Sequence, residues 1–376
     1  MRLVQRMTEF GTTIFAEMSA LAVATGSINL GQGFPDTDGP AELLDAAAEA
    51  IRTGHNQYPP GPGVPELRQA ISDHQRRRYG LDYDLAAEVL VTAGATEAIA
   101  AALLALTQPG DEVVLFEPYY DSYAACVALA GATRRTVTIE RDGGGWGFDP
   151  AALHRAITTN TRAIVLNTPH NPTGTVFDQG QLEAVADAAR EHDLAVISDE
   201  VYEHLIFDGR AHTPIATLPG MRDRTVTISS AGKTFSVTGW KIGWACAPPE
   251  LITAVRSVKQ FLTYVNGAPF QPAVAQALDS AEKLAPAARL QHQRDLLCDG
   301  LEDLGYDVVR PQATYFATVD VGTDAVAFCR ELPTTKGVVA IPSSVFYDSA
   351  AGDHYVRFAF CKRPEVLHGA LERLRR

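Results

Sequence analysis

Ala163-Ile164-Val165-Leu166-Asn167, then Thr168-Pro169-His170-Asn171-Pro172-Thr173-Gly174, then a stretch of helical period over Gln179–His192, then Ala195-Val196-Ile197-Ser198: this segment decides the fold. Two short apolar runs flank a helix-length stretch rich in Ala, which predicts a strand–helix–strand unit with buried strands. The alternation extends outward on both sides. Strands are predicted at Val89–Thr92, Glu112–Phe116, Arg135–Ile139, Val226–Ser229 and Ile242–Cys246. Helices are predicted at Ala41–Thr53, Val64–Arg78, Ala95–Leu106, Ser122–Ala130, Asp149–Ile157 and Pro249–Leu262. Seven strands with interleaved helices imply one large α/β domain, its mostly parallel sheet covered by helices.

The pattern changes after about Ala273. A helical stretch, Gln291–Leu304, precedes short strands near Tyr306–Val309, Tyr315–Val319, Val338–Ile341 and Val356–Phe360, and a helix follows them. This reads as a smaller α+β domain. The expected organisation is an N-terminal segment, 1–39, packing with the small domain; a large domain, 40–270; and a small domain, 271–376. Within the first segment, Phe15–Ala24 is amphipathic.

The 376 residues carry 32 Lys+Arg against 45 Asp+Glu, a formal charge of -13 that repels duplex nucleic acid and anionic membranes. The five cysteines are scattered, with no CxxC pair, so neither a disulfide framework nor a metal site is expected. No basic-then-apolar segment opens the chain and no apolar run nears the ~20 residues needed to span a bilayer, so a cytoplasmic protein is expected. Only six lysines occur, at 233, 241, 259, 283, 336 and 362. Chemistry that needs an amine therefore has few candidates.

Open parallel sheets bind ligands outside the carboxyl ends of their strands, so the residues after each strand matter most. They are Gly94-Ala95-Thr96 opening a helix, Thr168–Gly174 with Asn171, Asp199-Glu200-Val201-Tyr202, and Ser230-Ala231-Gly232-Lys233-Thr234. Free N–H groups at a helix start suit a phosphate. A buried carboxylate suits a pyridinium nitrogen, amide and phenol donors suit a ring oxygen, and an amine suits an aldehyde. That set describes pyridoxal 5'-phosphate, an electron sink for amino-acid chemistry. Two lookalikes fail. A phosphate-binding P-loop ending at Gly232-Lys233-Thr234 needs Gly where Thr227 stands, and Asp36 occupies the third Gly position of a dinucleotide fingerprint at Gly31-Gln32-Gly33.

Over nearly its whole length the chain resembles the fold-type I pyridoxal-phosphate aminotransferases of the class I/II group. Asn29–Asp36, Asn56–Pro59, Gly94–Glu97, Glu117–Tyr120, Asn171–Gly174, Ser198–Tyr202, Ser229–Thr234, Thr238–Lys241 and Val356–Phe358 carry the likeness. Within the group it is most similar to N-succinyldiaminopimelate, kynurenine and methionine aminotransferases. The resemblance implies Lys233 as the amine that links to the cofactor aldehyde, Asp199 on the ring nitrogen, and Tyr202 and Asn171 on the ring oxygen, with Asn167 supporting. Tyr120 would stack on the ring; Gly94, Ala95, Thr96, Ser230 and Lys241 would hold the phosphate. Tyr58 would reach the phosphate of the other subunit, which implies a homodimer. Arg357 would clamp the substrate α-carboxylate together with Asn171, Gly33 would add a backbone contact from the opposite wall, and Phe15 would line the side-chain pocket. The implied partners are an L-amino acid and a 2-oxo acid, 2-oxoglutarate first. Alternatives on the same fold are a carbon–sulfur β-lyase and a paralogue for a specialised amino acid. A DNA-binding regulator would need an added basic module.

Overall fold

The computed structural model describes residues 4–11, 13–143 and 145–376. Among the described residues, seven strands form the large sheet: β1 (Val89–Ala93), β2 (Glu112–Glu117), β3 (Thr133–Thr138), β4 (Thr161–Asn167), β5 (Ala195–Asp199), β6 (Thr225–Ser230) and β7 (Ile242–Cys246). Their order across the sheet is β1-β7-β6-β5-β4-β2-β3. Those from β3 to β6 are parallel, and β7 runs antiparallel to both of its neighbours, β1 and β6. This reversal positions the site. It brings Lys241, just ahead of β7, to the edge where β1 and β6 end, with Ile242 opposite Ala93 and Gly243 opposite Ser230.

Helices Gly94–Leu106, Asp121–Ala130, Gln179–Glu191 and Pro249–Leu262 cover the two faces, each within two residues of its predicted bounds. Strand interiors are apolar because both faces are covered: Val113, Ile164, Ile197, Val226 and Ile228 are all buried. Each such side chain contributes roughly 1.5–3 kcal/mol of burial. Asp178 caps the 179–191 helix, paired with Gln181 in a capping box.

The small domain holds β8 (Asp307–Val309), β9 (Phe316–Asp320), β10 (Ile341–Pro342) and β11 (Tyr355–Ala359), an antiparallel sheet in the order β8-β9-β11-β10. Helix Ala325–Thr335 was not foreseen, since Pro333 interrupts its helical reading near the C-terminal end. The N-terminal helix Ile14–Thr25 is capped by Thr13 and stopped by Gly26 at φ 62°. Its Met18 and Ala22 are buried with Leu30, Val338 and Phe358 in one core cluster, and Ile28–Asn29 pairs in parallel with Val338–Val339. Helix Phe270–Leu278 spans the expected boundary at 271, and its Ala273, Val274 and Leu278 pack with Leu43, Leu67 and Trp244 of the large domain. The small-domain cluster takes up the chain again at Leu290. Among the described residues no helix is long and apolar enough to cross a membrane.

Candidate active site

A cavity of about 290 Å³ lies at the carboxyl ends of β1, β4, β5 and β6 and is closed by residues of the small domain. Every site residue predicted above lines it except Tyr58, and Asn167 lines it too.

One end is built for an anion. Gly94 opens its helix at φ 76°, a conformation that favours glycine, and no side chain caps that helix. Glu97 Oε2 accepts the N–H of Ala93 at 2.6 Å, while the first-turn N–H groups of Ala95 and Thr96 have no intrahelical acceptor. β7 comes unusually close because residue 243 is glycine: a Cβ there would lie 2.6 Å from the Gly94 carbonyl carbon and 2.7 Å from Ala95 N. Lys241, in a left-handed conformation at φ 55°, reaches back over the turn; its Nζ would lie 3.2 Å from a Cβ at Gly94. Desolvation, and then the nearby Lys233, lower the Lys241 pKa. The Lys241 amine, the Ser230 hydroxyl and an uncapped helix start all line this end of the cavity.

The middle of the cavity holds Asp199, the last residue of β5, which pairs in register with Asn167 at the end of β4. Asn167 clasps the two strand ends: its Nδ2 donates to the Asp199 carbonyl at 2.9 Å and its Oδ1 accepts the Asn171 N–H at 2.8 Å. Burial pushes the Asp199 carboxyl up to about 6, although the Tyr123 hydroxyl donates to Oδ2 at 2.6 Å and the Val201 N–H to Oδ1 at 3.3 Å. An acid raised this way destabilises the empty fold as pH climbs. Below about pH 4 both states are protonated; above about pH 6 the folded chain must hold a buried charge, a difference of about 3 kcal/mol. Cofactor-free Asp199→Asn is therefore expected to match the unmutated protein in urea unfolding near pH 4 and to exceed its stability at pH 8. A gap that does not change with pH would contradict this.

Lys233 follows β6 in the short helix Ala231–Thr234, and its Nζ donates to the Tyr315 hydroxyl at 2.8 Å. Tyr202 and Tyr120 complete the walls, Tyr202 edge-on to Tyr315 at 5.2 Å.

The far end carries Arg357, on β11 and only 2% exposed. Nη1 donates to Asn171 Oδ1 at 3.1 Å and Nη2 to the Gly31 carbonyl at 3.3 Å, while Nε has no hydrogen-bond partner among the described residues. The guanidinium lies 3.9 Å from the Phe316 ring centre and within 5.2 Å of those of Phe15 and Phe346. Among the described residues no carboxylate forms an ion pair with it, and burial lowers its pKa to about 10. Gly33 fits beside it only as glycine, since a Cβ would meet Phe316 at 2.6 Å.

Sequence reasoning missed Tyr315, Phe316 and Gly243. These three are brought in by strand direction and by the second domain. Tyr58 stays outside this cavity, 81% exposed and edge-on to Tyr264 at 5.6 Å.

A phosphate cradle, a carboxylate, an amine and a guanidinium with no ion-pair partner among the described residues, gathered on this α/β edge, define a fold-type I pyridoxal-phosphate enzyme of the transaminase kind. The chain matches the description "Aminotransferase class I and II" over residues 25–374 and belongs to that family. It is 54% identical to a probable N-succinyldiaminopimelate aminotransferase of Mycobacterium tuberculosis, over 99% of this chain and 97% of the relative. It is 40% identical to a methionine aminotransferase of Escherichia coli, over 98% of this chain and 97% of the relative. The solved structure of N-succinyldiaminopimelate aminotransferase from Mycobacterium tuberculosis superposes with a TM-score of 0.96, at 54% identity, covering 100% of this chain and 99% of the other. The protein is thus an aminotransferase, and its cofactor is pyridoxal 5'-phosphate.

Proposed function

We propose that the protein moves the α-amino group of an L-amino acid to a 2-oxo acid in two half-reactions that share one site around Lys233. The observation that carries this reading is Arg357: a buried guanidinium without an ion-pair partner among the described residues, in the same cavity as Lys233 and Asp199. A planar α-carboxylate supplies the missing counter-charge and matches the guanidinium fork. When bound, the cofactor supplies an aldehyde and an electron-withdrawing ring. Ala95 and Thr96 N–H groups, Ser230 and Lys241 would hold its phosphate, and Asp199 its ring nitrogen. Asn171 and Tyr202 would meet the ring oxygen, and Tyr120 the ring face. Arg357 would fix the substrate carboxylate, with Gly33 adding a backbone contact and Phe15 lining the side-chain pocket. Lys233 Nζ would take the proton from the substrate Cα and deliver it again in the reverse direction.

Tyr58, Phe261, Leu262 and Tyr264 are 81, 85, 50 and 54% exposed, an unusual gathering of apolar groups at one edge. This supports a homodimer in which Tyr58 reaches the neighbouring site. All five cysteines are free and buried, which supports a cytoplasmic setting.

N-succinyldiaminopimelate is the amino-group donor we place first, on 54% identity over 99% of the chain. The test is a panel of donors with 2-oxoglutarate, reading out glutamate. The highest kcat/KM is expected with N-succinyldiaminopimelate; methionine or kynurenine exceeding it tenfold would overturn that choice. Pyruvate and ammonia from β-substituted cysteines, with no glutamate from any donor, would overturn the transamination itself.

A further inference from the structure

Tyr315 has no part in the reading above, yet it touches the amine at its centre. It immediately precedes β9 in the small domain and is 1% exposed. Its hydroxyl oxygen accepts from Lys233 Nζ at 2.8 Å, and its proton is donated to the Gly33 carbonyl at 2.8 Å. The direction of this chain is fixed at one end. A carbonyl oxygen only accepts, so the single phenol proton is committed to Gly33 and the oxygen faces Lys233 as an acceptor. The rings of Tyr202 and Phe316 pack edge-on against it at 5.2 and 4.8 Å and set its plane. Burial raises the phenol pKa, so it keeps its proton.

We infer that Tyr315 is a positioning residue for the Lys233 amine, holding it by one N–H so that its lone pair is left to the substrate Cα proton. This rests on the reading of Lys233 given above. In the transfer, the Cα–H bond breaks, its electron pair stays on carbon, and the proton adds to Lys233 Nζ. Tyr315 neither gains nor loses a proton. Because the same hydroxyl holds Gly33, the amine and the opposite wall of the cavity are set by one contact.

Tyr315→Phe removes the hydroxyl and keeps the ring. Its kcat is expected to fall about 10- to 100-fold, the scale of a misplaced reacting group, with KM for the donor within about twofold. Deuterium at the substrate Cα is expected to slow this variant more than the unmutated enzyme. Mixing the cofactor-free variant with pyridoxal 5'-phosphate should form the borohydride-reducible link about tenfold more slowly, to the same final extent. Tyr315→Gln, which restores an acceptor oxygen, should recover part of both rates and serves alone if the Phe variant does not fold. A purely structural role would lower the melting temperature and leave link formation and the isotope effect unchanged, which overturns the inference. Lys233→Ala separates the two readings. If it keeps the reducible link, the role of Lys233 fails and this inference with it. If it loses the link while Tyr315→Phe behaves normally, only the inference fails.

Discussion

Lys233→Ala is expected to bind pyridoxal 5'-phosphate without a covalent link and to lose about 10⁴-fold or more in turnover, since amine and proton acceptor go together. The chain offers little to replace it. Lys241 is the other lysine of the cavity, and its Nζ lies over the Gly94 turn. Lys259 is buried elsewhere, donating to the carbonyls of Gly61 and Tyr264 at 3.2 and 2.6 Å. Lys362 donates to the carbonyl of Phe34 at 2.7 Å. Lys241→Ala provides the contrast: weaker cofactor affinity with the covalent link retained. Turnover of Lys233→Ala within tenfold of the unmutated enzyme would remove this residue from the chemistry.

Arg357→Met should separate stability from function. Truncating one partner of a buried charge pair costs about 2–5 kcal/mol of binding, so kcat/KM for an amino-acid donor should fall about 30- to 5,000-fold. The empty protein should not suffer. Arg357 has no ion-pair partner among the described residues and Met fits the aromatic surroundings, so the melting temperature should hold or rise. Amines that lack an α-carboxylate provide the control, because their slow turnover should not change. An equal loss for those amines would mean that Arg357 acts on the fold and not on the carboxylate.

Most of the candidate site was legible because its residues sit in the turns that follow predictable strands. Gly94–Thr96, Asn167–Asn171, Asp199–Tyr202 and Ser230–Lys233 leave the sheet on one edge, and parallel strands place consecutive turns there together. Composition does not record strand direction, however. That β7 runs backwards, and so delivers Lys241 and Gly243 from its amino end, follows only from the folded pairing. Nor could the sequence show that Arg357 is buried with no ion-pair partner among the described residues, because that depends on Phe15, Phe316 and Phe346 arriving from three separate segments. Tyr315 was hidden for the same reason: its partners, Lys233 and Gly33, lie 82 and 282 residues away. Helix Phe270–Leu278 was missed because Pro269 and Pro272 mask its helical period, although a proline is tolerated in a first turn.

The most direct test loads the protein with pyridoxal 5'-phosphate, reduces it with borohydride and maps the modified peptide by mass spectrometry. The cofactor mass is expected on Lys233 alone, at a stoichiometry near one per chain. The same mass on any other lysine, or a protein that releases all its cofactor unmodified, would contradict the account.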